Sequence, residues 1–228
     1  MTTLSLRPGQ IAVHKTPVKL IEFIDNLNQA PTAEYASIHA GYTRPYEVEG
    51  KRVYSNIKLV AQDYTHKDKG EPSVRVTANL SPTEALYIAE AANSNRSSFQ
   101  FETIKIFGNP DNEGYSPMVK LWITRESTTK DGETLKRPWK IDIENGKGIK
   151  TETQNGGSCC KRGTYVQEKK VALLFTDLEF YEILTGVKRF IVLWEALYGA
   201  KLIGEGRNLR EISRAEYHNN KDTEGQEE

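Results

Sequence analysis

At two places in this chain of 228 residues, an alternating, strand-like segment runs directly into a capped helix. Residues 74–80 lead into a helix start at Ser81, and residues 169–175 lead into one at Thr176. In both cases Glu follows three residues after the N-cap, which is the pattern of a capping box. Because the strand before each box matches as well, the repetition predicts two copies of one small α+β module. Chance is the alternative, since capping boxes are common.

The rest of the chain is organised around these two segments. Thr16 and Pro17 have the residue types of an N-cap and a first helical position, so residues 16–27 are expected to form a short amphipathic helix. We therefore predict an N-terminal extension with this helix, a first sheet–helix module, a second sheet–helix module and a polar, acidic C-terminal tail, at residues 1–33, 34–95, 96–204 and 205–228. The polar composition of residues 219–228 predicts disorder there.

Alternation of apolar and polar residues predicts the strands of both modules. In the first module these are residues 34–43, 52–62 and 73–80, with a short fourth element near 46–49 and a helix at 82–92. In the second module they are residues 99–107, 118–125, 137–143 and 169–175, with a flexible Gly/Lys stretch at 146–163.

The second helix is expected to extend from residue 177 to about residue 200, with Gly204 and Gly206 breaking it. Apolar residues at helical spacing predict a stripe that packs against the core or another subunit: Val187, Phe190, Ile191, Trp194, Leu197 and Tyr198.

The charge balance is even overall, with 31 basic and 31 acidic residues, but it is uneven along the chain. Residues 116–170 carry twelve Lys or Arg against seven Asp or Glu, and the last eight residues carry one Lys against four acids. This distribution indicates an anion-binding body with a solvated, acidic end. Simple disorder of the tail would give the same composition.

Several classes of protein are disfavoured. No segment is apolar enough for a transmembrane helix, and the start of the chain does not resemble a signal peptide. Cys159 and Cys160 are adjacent, so they cannot staple a fold, and no second pair completes a zinc site. We expect a cytoplasmic protein with no membrane partner.

No catalytic constellation emerges. The four histidines are scattered, there is no nucleophile elbow, and residues 146–151 lack the spacing of a phosphate-binding loop. Asp142 and Glu144 share a strand face, where a metal is conceivable, but solvated charges are the ordinary interpretation. We predict neither an enzyme nor a bound cofactor or metal.

Aromatic and basic residues do interleave on the outward faces of the predicted strands. A single nucleic acid strand requires this mixture, because cations neutralise phosphates and flat rings accept unstacked bases. The candidate binding residues are Tyr42, Arg44, Arg52, Tyr54, Lys58, Arg75, Lys120, Trp122, Arg137, Trp139 and Lys140. Tyr and Trp also favour strands for structural reasons, and Trp139 shares the parity of Ile141 and Ile143, which is equally consistent with a core position.

Antiparallel strands running into one capped helix, twice in a chain, resemble the Whirly single-stranded-DNA-binding fold and two fused copies of the positive-cofactor-four module. The matching segments are Trp139-Lys140-Ile141-Asp142-Ile143 with Thr176-Asp177-Leu178-Glu179-Phe180, and Tyr54-Ser55-Asn56-Ile57-Lys58-Leu59 with Leu80-Ser81-Pro82-Thr83-Glu84. The resemblance covers roughly residues 35–200. The chain departs from the pattern in an insertion between residues 145 and 166, an added N-terminal helix and an extended C-terminal helix.

The resemblance implies a pseudo-two-fold domain that binds single-stranded DNA along its sheet faces, with helices joining copies and subunits into a homo-oligomer. An RNA-binding regulator that uses the same surface is an alternative. A protein-interaction or structural module of a phage or mobile element is another, which the near-zero net charge favours.

Overall fold

The structure is a computed structural model. It describes residues 9–30, 32–39, 41, 47–49, 51–65, 70, 72–94, 96–129, 131–154 and 157–224, with backbone alone at residue 48 and from residue 218 onward. Within these residues the protein is α+β, with antiparallel sheets and two α-helices. None of the helices in these ranges is long and apolar enough to cross a membrane.

The strands are, in chain order, β1 (Gln10–Lys15), β2 (Lys19–Asn26), β3 (Glu47–Val48), β4 (Lys51–Arg52), β5 (Asn56–Asp63), β6 (Val74–Leu80), β7 (Ser98–Ile106), β8 (Tyr115–Glu126), β9 (Trp139–Glu152), β10 (Ser158–Cys160) and β11 (Val166–Phe175). The helices are α1 (Pro82–Ala92) and α2 (Asp177–Glu224). The first sheet has the order β1-β2-β5-β6 and leads into α1. The second has β7-β8-β9-β11, leads into α2, and carries β10 on the far part of β9.

The predicted helix at residues 16–27 is wrong, because this segment forms a hairpin and the strand β2. The hydroxyl of Thr16 accepts a hydrogen bond from the backbone N–H of Lys19 at 2.9 Å, so the cap-like residue closes a turn instead of a helix. Ile21 and Phe23 then alternate with Glu22 and are fully buried on one face of the sheet. Pairing with both β1 and β5 satisfies the backbone that a helix would otherwise satisfy.

The strand predicted at residues 34–43 is also wrong where the structure describes it. Residues Ala33–Tyr35 form a short 3₁₀ helix, and turns follow. This local winding places the Tyr35 ring on α2, where it stacks on Trp194 with ring centroids 5.4 Å apart. Burial of this ring favours the turn over an extended strand. The candidate binding residues Tyr42 and Arg44 lie outside the described residues.

The glycines after residue 145 do not form a flexible stretch, because β9 continues through them to Glu152. Their lack of a side chain lets a neighbouring segment lie directly on the strand. A Cβ on Gly148 would fall 2.5 Å from the Cys160 sulfur, and one on Gly146 would collide with the carbonyl oxygen of Val166. Gly-rich composition here marks close packing of backbone and not disorder.

Both predicted capping boxes are confirmed. The backbone N–H of Ser81 donates to the Glu84 carboxylate at 2.7 Å, and the N–H of Thr176 donates to the Glu179 carboxylate at 2.8 Å. The helix α1 has the predicted bounds, but α2 runs past Gly204 and Gly206 to Glu224. The predicted helix end near residue 200 and the predicted disorder of residues 219–224 are therefore wrong, and residues 225–228 lie outside the described residues.

The two sheets and two helices share one hydrophobic core. Ile21, Phe23 and Leu59 from the first sheet meet Ile141, Leu173 and Phe175 from the second, together with Ile88 of α1 and Val187 of α2. A side-chain amide joins the sheets at one edge. Asn145 of β9 accepts from the Thr77 N–H and donates to the Thr77 carbonyl, both at 2.8 Å, so it replaces the backbone partner that β6 lacks on this side.

A smaller cluster of Tyr35, Trp194 and Leu202 anchors the middle of α2, and His39 lies fully buried beside it. A Cβ on Gly206 would lie 2.5–2.7 Å from the His39 backbone, so a side chain at this position would force α2 or the segment around His39 to shift. A Cβ on Gly204 would meet nothing within 4 Å.

We expect Gly206→Ala to destabilise the protein by about 1–3 kcal/mol, because the new methyl group overpacks the contact with His39. The control Gly204→Ala should be neutral or stabilising by up to about 1 kcal/mol, since alanine is the better helix former. Denaturant titration measures both. Equal effects of the two substitutions would show that α2 is not seated on His39.

Burial lowers the pKa of His39 below its ordinary value, against an opposing attraction from Glu205. Burial also lowers the pKa of His14, whose ring lies 4.8 Å from Phe175. Both imidazoles are thus held neutral in the fold, whereas in the unfolded chain they bind protons below about pH 6.5.

The free energy of unfolding should therefore be fully developed above about pH 6.5 and fall as the pH is lowered below that value, because the unfolded state then takes up more protons. Denaturant titrations between pH 7.5 and 5.5 measure this slope. In the His14→Gln/His39→Gln double variant the slope should be shallower than in the unsubstituted protein, whatever the absolute loss of stability. An unchanged slope would contradict the assignment.

Candidate nucleic-acid interface

Each sheet buries one face in the core and turns the other away from it. We call the outward side of β5 and β6 the first-sheet face, defined by Lys58, Gln62, Arg75, Thr77 and Asn79. We call the outward side of β8, β9 and β11 the second-sheet face, defined by Lys120, Trp122, Lys140, Asp142, Glu144 and Lys170. Alternation along the strands places these side chains opposite the buried residues of the core.

The first-sheet face has a cation at each end and a covered centre. Lys58 lies opposite Asn79 and Arg75 opposite Gln62, about 14 Å apart along the strands at about 3.4 Å per residue. Val60, midway between Lys58 and Gln62, is fully buried. Lys58 and Arg75 are exposed, and neither forms an ion pair with another residue in the described part of the chain. Their charges are thus available to an external anion.

The candidates before β5 lie beside this face. The guanidinium carbon of Arg52 is 6.0 Å from the centre of the Tyr54 ring, and Tyr54 is half exposed. A cation near an accessible ring is suited to a nucleotide, because the ring takes a base and the cation a phosphate.

The second-sheet face holds the predicted Lys120–Trp122 pair. The Lys120 ammonium is 5.8 Å from the centre of the Trp122 ring. It is 3.5 Å from the centre of the Tyr165 ring, which directly precedes β11. The Tyr165 hydroxyl donates to the Glu144 carboxylate at 3.3 Å. Burial, followed by the charge of Glu144, raises the pKa of Tyr165 to about 12, so this hydroxyl remains protonated at neutral pH.

Two carboxylates on this face are buried and paired, contrary to the expectation of solvated charges. Asp142 and Glu144 are 6% and 8% exposed. The Lys170 ammonium lies 3.1 Å from Asp142 and 2.9 Å from Glu144, and that of Lys140 lies 2.8 Å from Asp142. The hydrogen bond to Glu144 is the largest influence that raises the pKa of Lys170. A phosphate at this site would have to compete with carboxylates for the lysines.

Trp139 belongs to the core, so its prediction as a binding residue is wrong. It is 1% exposed and stacks on Phe180 with ring centroids 4.1 Å apart. Its indole N–H donates to Asp177 at 2.8 Å, and Asp177 also accepts from Arg125 at 3.1 Å. Hydrogen bonds from Arg125 and then Trp139 hold the pKa of the Asp177 carboxyl below its usual value. Strand parity with Ile141 and Ile143 places the ring inward.

The remaining candidate, Arg137, lies at the edge of the second sheet. Its guanidinium is 3.4 Å from the Glu179 carboxylate and 3.4 Å from the carbonyl oxygen of Leu174. Sequence reasoning missed Lys170 of the second-sheet face and Tyr165 beside it. Lys170 could have been found from its alternation with buried Val171, whereas Tyr165 precedes β11 and carries no periodic signal.

No group of three or more His, Cys, Asp or Glu side chains within the described ranges is arranged to hold a metal ion. Comparison of the chain with protein-family models, with curated proteins and with solved structures finds no match.

Proposed function

We propose that this chain is a non-catalytic protein that binds single-stranded DNA, built from two Whirly-like sheet–helix modules. The observation that carries the proposal is the repeated order of elements. Four antiparallel strands in sequential order lead through a Ser or Thr capping box into α1, and four more lead through a second box into α2. The outward faces of both sheets then offer cations and accessible rings in one molecule.

The two faces have different tasks in this proposal. Lys58 and Arg75 neutralise phosphates, and release of counterions gives an affinity that falls with salt. Trp122 is partly exposed and offers a flat ring to an unstacked base, a contact that contributes about 1–3 kcal/mol. Lys120 beside it contributes its charge near the same base.

Self-association through α2 forms part of the proposal. Leu193 and Leu197 lie one helical turn apart and are 69% and 71% exposed, and large aliphatic side chains so exposed on one helix support a contact with a second copy. RNA binding on the same faces, and a purely structural or protein-interaction role, are the alternatives that the binding experiments separate.

Trp122→Ala should weaken the binding of a short single-stranded oligonucleotide by about 1–3 kcal/mol, the contribution of one stacked base. Fluorescence polarisation at low salt measures the affinity. Tyr87→Ala is the control, because this ring is 51% exposed but lies on α1, away from both faces. Absence of binding by the unsubstituted protein at micromolar concentration would reject the function. Equal competition by duplex DNA would indicate only charge attraction, and tighter binding of RNA would favour the regulator.

Lys58→Ala and Arg75→Ala should each reduce the slope of log affinity against log salt by about 0.7, the value for one phosphate contact on a single strand. Lys140→Ala is the matched comparison, and we expect a smaller change because its ammonium already pairs with Asp142. Titrations at several salt concentrations measure the slopes. A larger change at Lys140 than at Lys58 would place the phosphates on the second-sheet face instead.

A further inference from the structure

A cavity of about 400 Å³ lies where β5 begins and where β6 and β7 end. Two aromatic side chains line it, Tyr54 and Phe107, and each is 50% exposed. Other aromatic rings of the two sheets and their helices, among them Trp139, Phe175 and Phe180, are buried in the core, whereas Tyr54 and Phe107 are not. Two large rings left half exposed in one cavity indicate a surface that is covered by a ligand.

The polar groups of the cavity are held in place. The Lys105 ammonium donates to the backbone carbonyl of Asn79 at 2.8 Å and lies 3.4 Å from Glu84, so it is fixed between β6 and the start of α1. The Asn56 side-chain oxygen accepts from Asn26 at 3.1 Å, which leaves its amide N–H groups for another acceptor. Glu34 accepts from the Ser55 N–H at 3.2 Å through one carboxylate oxygen and keeps the other.

This combination suits the edge and the faces of a nucleobase. Every base has two flat faces, which stack on aromatic rings, and an edge of mixed donors and acceptors. The Asn56 amide, the Lys105 ammonium and the second carboxylate oxygen of Glu34 match such an edge. Each of these groups is preorganised by a hydrogen bond, so its placement adds little ordering cost to binding.

Cations continue from the cavity along the surface. Lys58 follows Asn56 on the same side of β5 and lies opposite Asn79, and Arg52 lies over Tyr54. A nucleotide whose base enters the cavity would thus have its phosphates near one or both of these cations, neither of which forms an ion pair within the described ranges. This arrangement favours one nucleotide of a strand over an uncharged small molecule.

We propose that this cavity binds one unstacked base of the single strand, with Tyr54 and Phe107 contacting its faces and Asn56, Asn79 and Lys105 its edge. The proposal rests on the proposed function and adds a specific base site to it. The site lies at the junction of the two sheets and shares Asn79 with the first-sheet face.

The test uses the full chain and a short oligothymidylate that carries one 5-iododeoxyuridine. Irradiation should form a crosslink that peptide mapping locates at Tyr54 or Phe107. In parallel, Tyr54→Leu/Phe107→Leu should bind the unmodified oligonucleotide about 5- to 140-fold more weakly, the range for loss of one stacked base. Tyr87→Leu, with a ring of similar exposure outside the cavity, should bind normally.

A second variant, Asn79→Asp, provides an independent test of the site in case the double variant does not fold. The Asn79 side chain is exposed and forms no hydrogen bond in the described part of the chain, so the new charge should leave the melting temperature unchanged while it repels the strand. Normal binding by Asn79→Asp and by the folded double variant, with crosslinks elsewhere, would overturn the base site while leaving the proposed function intact. Failure of the unsubstituted protein to bind any single strand would overturn both.

Discussion

Neither sheet of this protein has enough covering structure of its own to bury its apolar face. A single helix of eleven residues follows the first sheet, and only the first half of α2 packs on the core. The two inner faces are therefore buried against each other, and both helices fill the sides of the same core. Asn145 completes this arrangement by giving Thr77 the hydrogen bonds that its strand lacks at the edge. Every outward surface follows from this pairing, because it decides which side of each strand faces away from the core.

The two outward faces differ in how far their positive charges are compensated by carboxylates. On the second-sheet face, Asp142 and Glu144 are withdrawn from water and each is paired with lysine, so much of the positive charge there is already compensated. On the first-sheet face, Lys58 and Arg75 have no such partner in the described residues. A count of basic residues along the sequence places the positive region at residues 116–170. The contacts indicate that fewer but more available cations lie earlier in the chain.

Local signals predicted local structure well. Both capping boxes, the bounds of α1 and the buried face of Ile57, Leu59 and Ala61 follow from residues close together in sequence. The errors arose where one residue type serves two purposes. Thr16 closes a turn as readily as it caps a helix, and glycine gives flexibility in one place and close packing in another. Gly148 and Gly206 are understood only through Cys160 and His39, which are distant in sequence.

The candidate site, like the fold, could be predicted from the sequence only in part. Periodicity placed Lys58, Lys120 and Trp122 on outward faces. The parity that Trp139 shares with Ile141 and Ile143 indicated its inward position, but the basic neighbours of Trp139 favoured a binding role. The cavity could not be predicted from the sequence, because Tyr54 precedes β5 of the first sheet and Phe107 follows β7 of the second, and the two line one cavity only in the folded protein.

The length of α2 determines how far its C-terminal end lies from Gly206 along the helix axis. Gly206 packs closely on the His39 backbone, and from there the helix continues for eighteen residues to Glu224. This corresponds to about 27 Å along its axis at 1.5 Å per residue. Residues 207–217 are mostly exposed, so this part of α2 presents most of its side chains to solvent and not to the core. A segment in a continuous helix does not bend back as a flexible tail would. The backbone positions of the acidic residues Asp222 and Glu224 therefore lie about 24 and 27 Å from Gly206 along the helix axis.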